Sequence, residues 1–251
     1  MIECLRLRKE FDMKAAVESL DLRISSGEIV ALLGPNGAGK TTTLKMIVGL
    51  LRPTSGEVRL GGVSMSADGV EARRLLGFVP DQPFLYDKLS GREFLEFVGR
   101  LHGLRAEEID ARARSLVEAF DLAGFLDAPC ETYSHGMRQR VVLTASLLHG
   151  PQAIVIDEPT VGLDPINAMR LREVLRARAR EGAAVLLSTH LLALAEAVAD
   201  RIAVMHLGRL IAVGTPAEIL LQAREAPTLE AAFLRITEEN GTPGAPGAPV
   251  A

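Results

Sequence analysis

The sequence predicts an α/β fold: a mostly parallel sheet, covered on both faces, with a helical subdomain inserted into it. Two observations carry this expectation. Short unbroken runs of Val, Ile and Leu alternate with helical patterns, as strands buried on both faces do when each leads into a crossover helix. Between about residues 84 and 149, by contrast, amphipathic segments follow one another with no strand between them, at the spacing of helices.

Taken in order, "EIVALLG" reads as a strand and "KTTTLKMIVGLL" as the helix after it. "GREFLEFVGRLHGL", "AEEIDARARSLVEAFDLAGF" and "GMRQRVVLTASLLHG" form the helical insertion. "AIVID", "PINAMRLREVLRARAREG", "AAVLLST" and "LLALAEAVAD" then return to strand–helix alternation. The expected division is a sheet core over 1–83 and 150–236, a helical subdomain over 84–149, and a tail over 237–251. "NGTPGAPGAPVA" carries no apolar period, so burial cannot offset its ordering entropy and the tail is expected to be disordered.

A chain of 251 residues with 48% hydrophobic and 24% charged residues can bury a substantial core. Its net charge of -4 opposes a broad nucleic-acid footprint, which calls for clustered Lys and Arg. Cys4 and Cys130 lie far apart without metal-site spacing, so reduced, unpaired thiols are expected. "MIECLRLRKEF" lacks the apolar stretch of a signal peptide, and no apolar run approaches the roughly 18 residues of a spanning helix. A cytoplasmic location is expected.

"GPNGAGKTT" matches G-x-x-x-x-G-K-[ST] and lies between a strand and a helix, the context that makes this a phosphate loop. The fold class becomes a phosphate-loop (P-loop) NTPase sheet domain with its helical insertion. Gly34, Gly37 and Gly39 let the backbone curl so that successive amides point inward at a helix start. Pro35, Asn36, Ala38 and Thr42 complete the loop. Lys40 is placed to reach the β and γ phosphates, and the Thr41 hydroxyl to ligate Mg²⁺. A glycine turn that merely joins two elements is the competing reading.

"AIVIDEPTVGLDP" delivers Asp157 and Glu158 at the carboxyl end of a buried strand, where ligands of α/β sheets bind. Asp157 is the candidate Mg²⁺ ligand through water, and Glu158 can orient or deprotonate the attacking water. A plain turn after a strand is the alternative. "STH" ends the strand "AAVLL" and brings His190 to the same edge, where an imidazole can bond a γ-phosphate.

The phosphate loop, "YSHGMRQR", "VIDEPT", "GLDP" and "STH" together resemble the motifs of the ATP-binding-cassette family, over about residues 2 to 235. That resemblance implies ATP held with Mg²⁺ between two nucleotide-binding subunits, each phosphate loop facing the partner's signature. The usual signature, Leu-Ser-Gly-Gly-Gln, stands here as Tyr133, Ser134, His135, Gly136 and Met137. Ser134 and Gly136 are then the positions that contact the γ-phosphate, while His135 and Met137 depart from the pattern. The resemblance also assigns Asp164 to the D-loop and Phe11 to stacking on adenine, a core Phe being the alternative. In the glutamine loop an ungapped match puts Asp81 where Gln is usual, as a further ligand around Mg²⁺, with Gln82 as the alternative one step on.

The resemblance implies the ATP-hydrolysing subunit of a membrane transporter, peripheral on the inner face of the cell membrane. A separate transmembrane permease would dock near Asp81 to Asp87. The wording of the motifs is most similar to exporter-type cassettes, including multidrug efflux. The alternatives are a soluble cassette ATPase acting on ribosomes or DNA, and a nucleotide-binding module without turnover. No nucleic-acid partner is expected.

Overall fold

The computed structural model describes residues 1–12 and 14–240. Ten strands and nine helices are present among them, and two sheets organise the chain. The N-terminal sheet is antiparallel, in the order β2-β1-β4-β5, from β1 (Ile2–Phe11), β2 (Lys14–Ile24), β4 (Ser55–Leu60) and β5 (Val63–Ser64). The central sheet has six strands. Its members are β3 (Ile29–Leu33), β6 (Leu76–Val79), β7 (Ala153–Asp157), β8 (Ala184–Thr189), β9 (Arg201–His206) and β10 (Arg209–Gly214). They run in the order β10-β9-β3-β8-β7-β6, all parallel except β10.

The central strands are apolar throughout because each buries both faces. On β3, Ile29, Ala31 and Leu33 point into the core beneath the helices, while Val30 and Leu32 face the core shared with the antiparallel sheet. β7 and β8 repeat the alternation, with Ile154, Ile156, Val185 and Leu187 on the first side and Val155 and Leu186 on the second. A period of two thus divides one continuous apolar run between two cores.

α1 (Lys40–Ile47) fills the space between the sheets, and α2 (Gly69–Arg74) leads into β6. Between β6 and β7 come only helices and turns: α3 (Gly91–Leu101), α4 (Ala106–Ala119) and α5 (His135–Leu147). Ser90 caps α3 through a reciprocal box with Glu93, which satisfies amides the first turn would otherwise leave open. The buried Tyr133 hydroxyl accepts from the Gly91 amide at 3.0 Å and donates toward the Phe125 carbonyl at 2.9 Å. It therefore fastens the turn before α5 to the start of α3.

α6 (Pro165–Arg180) and α7 (Leu192–Val198) cover the sheet in the second half of the chain, followed by α8 (Pro216–Gln222) and α9 (Leu229–Asn240). Here one expectation is corrected. Residues 237–240, assigned to the tail, continue α9, where the Thr237 hydroxyl bonds back to the Phe233 carbonyl at 2.8 Å. Leu229, Ala232 and Ile236 give this helix a buried stripe, so its apolar face holds it in place. Residues 241–251 lie outside the described residues.

Candidate active site

The loop between β3 and α1 bends where its sequence allows it to. Gly37 and Gly39 adopt φ of 81° and 106°, left-handed values that other residues enter only at a cost. Gly34 is needed for a different reason. A Cβ there would lie 2.3 Å from the Met205 carbonyl on β9, so only glycine lets the loop lie this close to the strand.

Lys40, only 7% exposed, donates from Nζ to the carbonyls of Gly34 at 2.7 Å and Pro35 at 3.2 Å. Burial lowers its pKa, against the opposing pull of Glu158 and Asp157. The ammonium is thus curled over by its own loop, which is how a long flexible cation is held in position. Three threonines follow, and the structure separates their tasks. The Thr43 hydroxyl is buried and bonded to the Gly39 carbonyl at 3.0 Å, whereas Thr41 is exposed at the cleft.

Asp157 closes β7 and is 3% exposed, its carboxylate accepting from the Ser188 hydroxyl on the neighbouring β8. Glu158 then takes φ 48°, a left-handed value for a residue with a side chain, which is the kind of local strain found at functional sites. The turn separates the two acids. Asp157 stays against the sheet, and Glu158 reaches His190, whose Nδ1 donates to Oε2 at 2.9 Å. Glu158 is mostly covered and His190 more than half exposed.

A cleft of about 310 Å³ brings these groups together, lined by residues 36–42 of the loop with Asp81, Asp157, Glu158 and Ala16. Asp81 and Gln82 are both exposed, but Asp81 alone of the two lines the cleft. Phe11 is 46% exposed with Lys9 Nζ 5.0 Å from its ring centre, which excludes the core alternative. It stands on the β1–β2 hairpin that also supplies Ala16, outside the cleft lining itself.

Ser134, Gly136 and Asp164 are not among the residues lining that cleft. Ser134 caps α5, accepting from the Met137 amide at 3.3 Å. Asp164 caps α6 in the same way, accepting from the Asn167 amide at 2.8 Å, and those N–H donors hold its carboxyl below the usual range. Gly136 packs on the loop after β7, where a Cβ on it would come 2.5 Å from the Gly162 carbonyl. Sequence reasoning gave Ser188 no task of its own. Its hydroxyl is the buried partner of Asp157, and the polar pair "ST" closing an otherwise apolar strand is the signal that marks it.

Comparison with known proteins points the same way. Residues 17–161 match the ABC transporter family. The daunorubicin resistance ATP-binding protein DrrA3 of Streptomyces coeruleorubidus is 41% identical over 211 residues, 84% of this chain and 67% of that protein. Other curated relatives are longer, this chain spanning 42% of one of them. A solved ATP-binding subunit of an ABC transporter superposes with a TM-score of 0.90 at 33% identity, covering 94% of this chain and 99% of that one. A dimeric ATP-binding cassette solved in a post-hydrolysis state with ADP and Pi superposes with a TM-score of 0.79 at 27% identity, covering 86% and 98%. Sequence and fold together establish that the chain belongs to the ABC transporter family, as one of its ATPase cassettes.

Proposed function

We propose that the chain powers export of a drug-like substrate through a separate permease, hydrolysing ATP at the cleft between its phosphate loop and the ends of β7 and β8. The observation that carries this reading is the convergence on one 310 Å³ cleft of the loop, Lys40, Asp157 and Glu158, with His190 bonded to Glu158 at 2.9 Å. The loop amides and Lys40 bind the phosphates. Glu158 takes the proton of the attacking water, and His190 orients the Glu158 carboxylate and faces the γ-phosphate. Phe11, at the exposed end of its hairpin, offers a flat apolar face to the adenine.

The donor set also fits Mg²⁺. No cluster of three or more His, Cys, Asp or Glu exists among the described residues, and a Mg²⁺ held with nucleotide needs none, taking one or two carboxylates beside phosphate oxygens and water. Thr41 and Asp157 would hold it, with Asp81 as a further lining carboxylate. The ion would supply charge neutralisation on the phosphate oxygens.

Ser134 and Gly136 stand apart from this chain's own cleft, so their ligand is the γ-phosphate held by a second cassette, with Asp164 in the loop between the two sites. No helix of the described residues is long and apolar enough to cross a membrane, and the export path belongs to a partner docked on the inner membrane face. The names of relatives, a daunorubicin resistance protein among them, support drug export over action on ribosomes or DNA, as does the net charge of -4.

The docking surface is largely apolar. A cavity of about 360 Å³ lies between the end of α1, β6, α3 and α5, lined by Val48, Phe78, Phe94, Val98 and Val142. Tyr86 extends it outward, packing edge-on against Phe84 and Phe97 with ring centres 5.5 Å apart in each case. All three rings are at least 40% exposed, an unusual grouping for a surface with no partner. The stacked rings of His102 and His149 close the inner end, 3.7 Å apart. Burial, then the neighbouring imidazole, pushes His149 down to about 4, so its ring is uncharged at neutral pH.

Co-expressed with its multi-spanning permease, the chain is expected to sediment with membranes. Tyr86→Asp should weaken that association by about 30-fold, the usual worth of an aromatic anchor, with ATP binding retained. Undiminished sedimentation of the Tyr86→Asp chain would remove this surface from the docking site.

A further inference from the structure

His135 departs from the signature pattern, and the structure shows where its side chain goes. Its ring turns its Cδ2 edge to the backbone of Gly162, in the loop after β7. A Cβ on Gly162 would fall 2.1 Å from His135 Cδ2 and 3.2 Å from Cγ. The main chain of Gly136 also closes on this glycine, 2.5 Å separating its notional Cβ from the Gly162 carbonyl oxygen. Two consecutive residues of the α5 start thus meet Gly162, which sits at φ 78°.

Gly162 lies four residues after Glu158, the carboxylate assigned to hydrolysis. The Val161 amide donates to the Glu158 carbonyl at 3.3 Å, and the Leu163 amide to the Thr160 carbonyl at 3.1 Å. Residues 158–163 therefore form two overlapping turns whose far end is fixed by the imidazole. At the near end Glu158 carries its left-handed φ of 48° and depends on surrounding contacts to keep it. Among those contacts, the Glu158 amide donates to the Ser188 carbonyl at 3.1 Å.

We infer that His135 is a positioning residue for hydrolysis in its own subunit: its ring sets the 158–163 turn and thereby the aim of Glu158. Two neighbours in the signature then serve different sites. Ser134 meets nucleotide held by the second cassette, while His135 ties the start of α5 to the base of this chain's own site. Seating of α5 on that nucleotide is passed through the ring to Glu158. This rests on the assignment of Glu158 as the base, and a separate measurement of Glu158→Gln turnover reports on that assignment alone.

The test is steady-state ATP turnover of purified His135→Gly and His135→Phe, each first shown to bind ATP as the wild type does. His135→Gly should lower kcat about tenfold with KM within twofold, since displacing a reacting group by a fraction of an ångström costs rate rather than binding. His135→Phe, which keeps an aromatic ring edge against Gly162, should hold kcat within twofold of wild type. A raised KM at unchanged kcat would assign His135 to nucleotide contact and overturn the inference. So would unchanged kinetics in His135→Gly, or equal loss in both variants, which would point to imidazole chemistry in place of packing. Gly162→Ala gives an independent measure, because its cost to kcat should be several-fold smaller in a His135→Gly background than beside the native ring. Additive costs would show that the two residues do not act through each other.

Discussion

Glu158→Gln is expected to bind ATP with wild-type affinity and to turn it over ~10² to 10⁴-fold more slowly, the usual worth of a positioned general base. The amide keeps the size and the left-handed backbone of the glutamate, and can still meet His190 Nδ1 across the 2.9 Å contact. What it loses is the capacity to take a proton from water. Binding should survive because the proposed phosphate contacts come from the loop and Lys40 and not from this carboxylate. Single-turnover hydrolysis measured beside an ATP-binding isotherm separates the two, and wild-type turnover in this variant would remove Glu158 from the role.

Lys40→Ala should produce the complementary result, a loss of nucleotide binding. The buried ammonium is the cleft's cation, and each hydrogen bond to a charged partner contributes roughly 1.5–3 kcal/mol. Two such bonds to phosphate oxygens correspond to at least ~10²-fold in Kd. The substitution also strips the Gly34 and Pro35 carbonyls of the donor that now serves them. Thermal unfolding should therefore be measured alongside the isotherm, so that a destabilised loop is not mistaken for a missing phosphate contact. An isotherm like wild type would contradict the assignment of the loop.

The parts of this structure that are legible in the sequence are those whose determinants are contiguous. β3, β7 and β8 show as apolar runs because each strand is buried on both faces, and the phosphate loop shows because its glycines, Lys40 and Thr41 lie within nine residues. The antiparallel sheet is harder to see. β1 breaks its alternation at Leu5 and Arg6, two consecutive exposed residues at a shift in register, with Arg6 at φ 45°. A bulge of that kind erases the period on which strand reading depends. The β9–β10 hairpin carries a usable signal in Leu207 and Gly208, both at positive φ as its two-residue turn requires.

At the site the same distinction holds. Asp157, Glu158 and His190 announce themselves at strand ends, whereas the Ser188–Asp157 bond joins neighbouring strands 31 residues apart. The packing of His135 on Gly162 likewise depends on how α5 is seated against the loop after β7. Asp81 and Gln82 are adjacent and each offers an oxygen that could reach a metal ion, so the course of the chain after β6 decides which of them lines the cleft.

In the proposed assembly each cassette supplies half of each hydrolytic site, Ser134 of one subunit meeting the γ-phosphate on Lys40 of another. Light scattering of the Glu158→Gln chain with and without ATP distinguishes this shared site from a self-contained one. ATP should convert the monomer to a dimer, and adding Ser134→Ala should weaken that dimerisation at least tenfold, as loss of a hydrogen bond to a charged group worth roughly 1.5–3 kcal/mol requires. Ser134 also caps α5, so ATP binding by the monomer must be shown to persist in the double variant. If Ser134→Ala leaves ATP-driven dimerisation unchanged, the signature does not meet the partner's nucleotide and the shared site is contradicted.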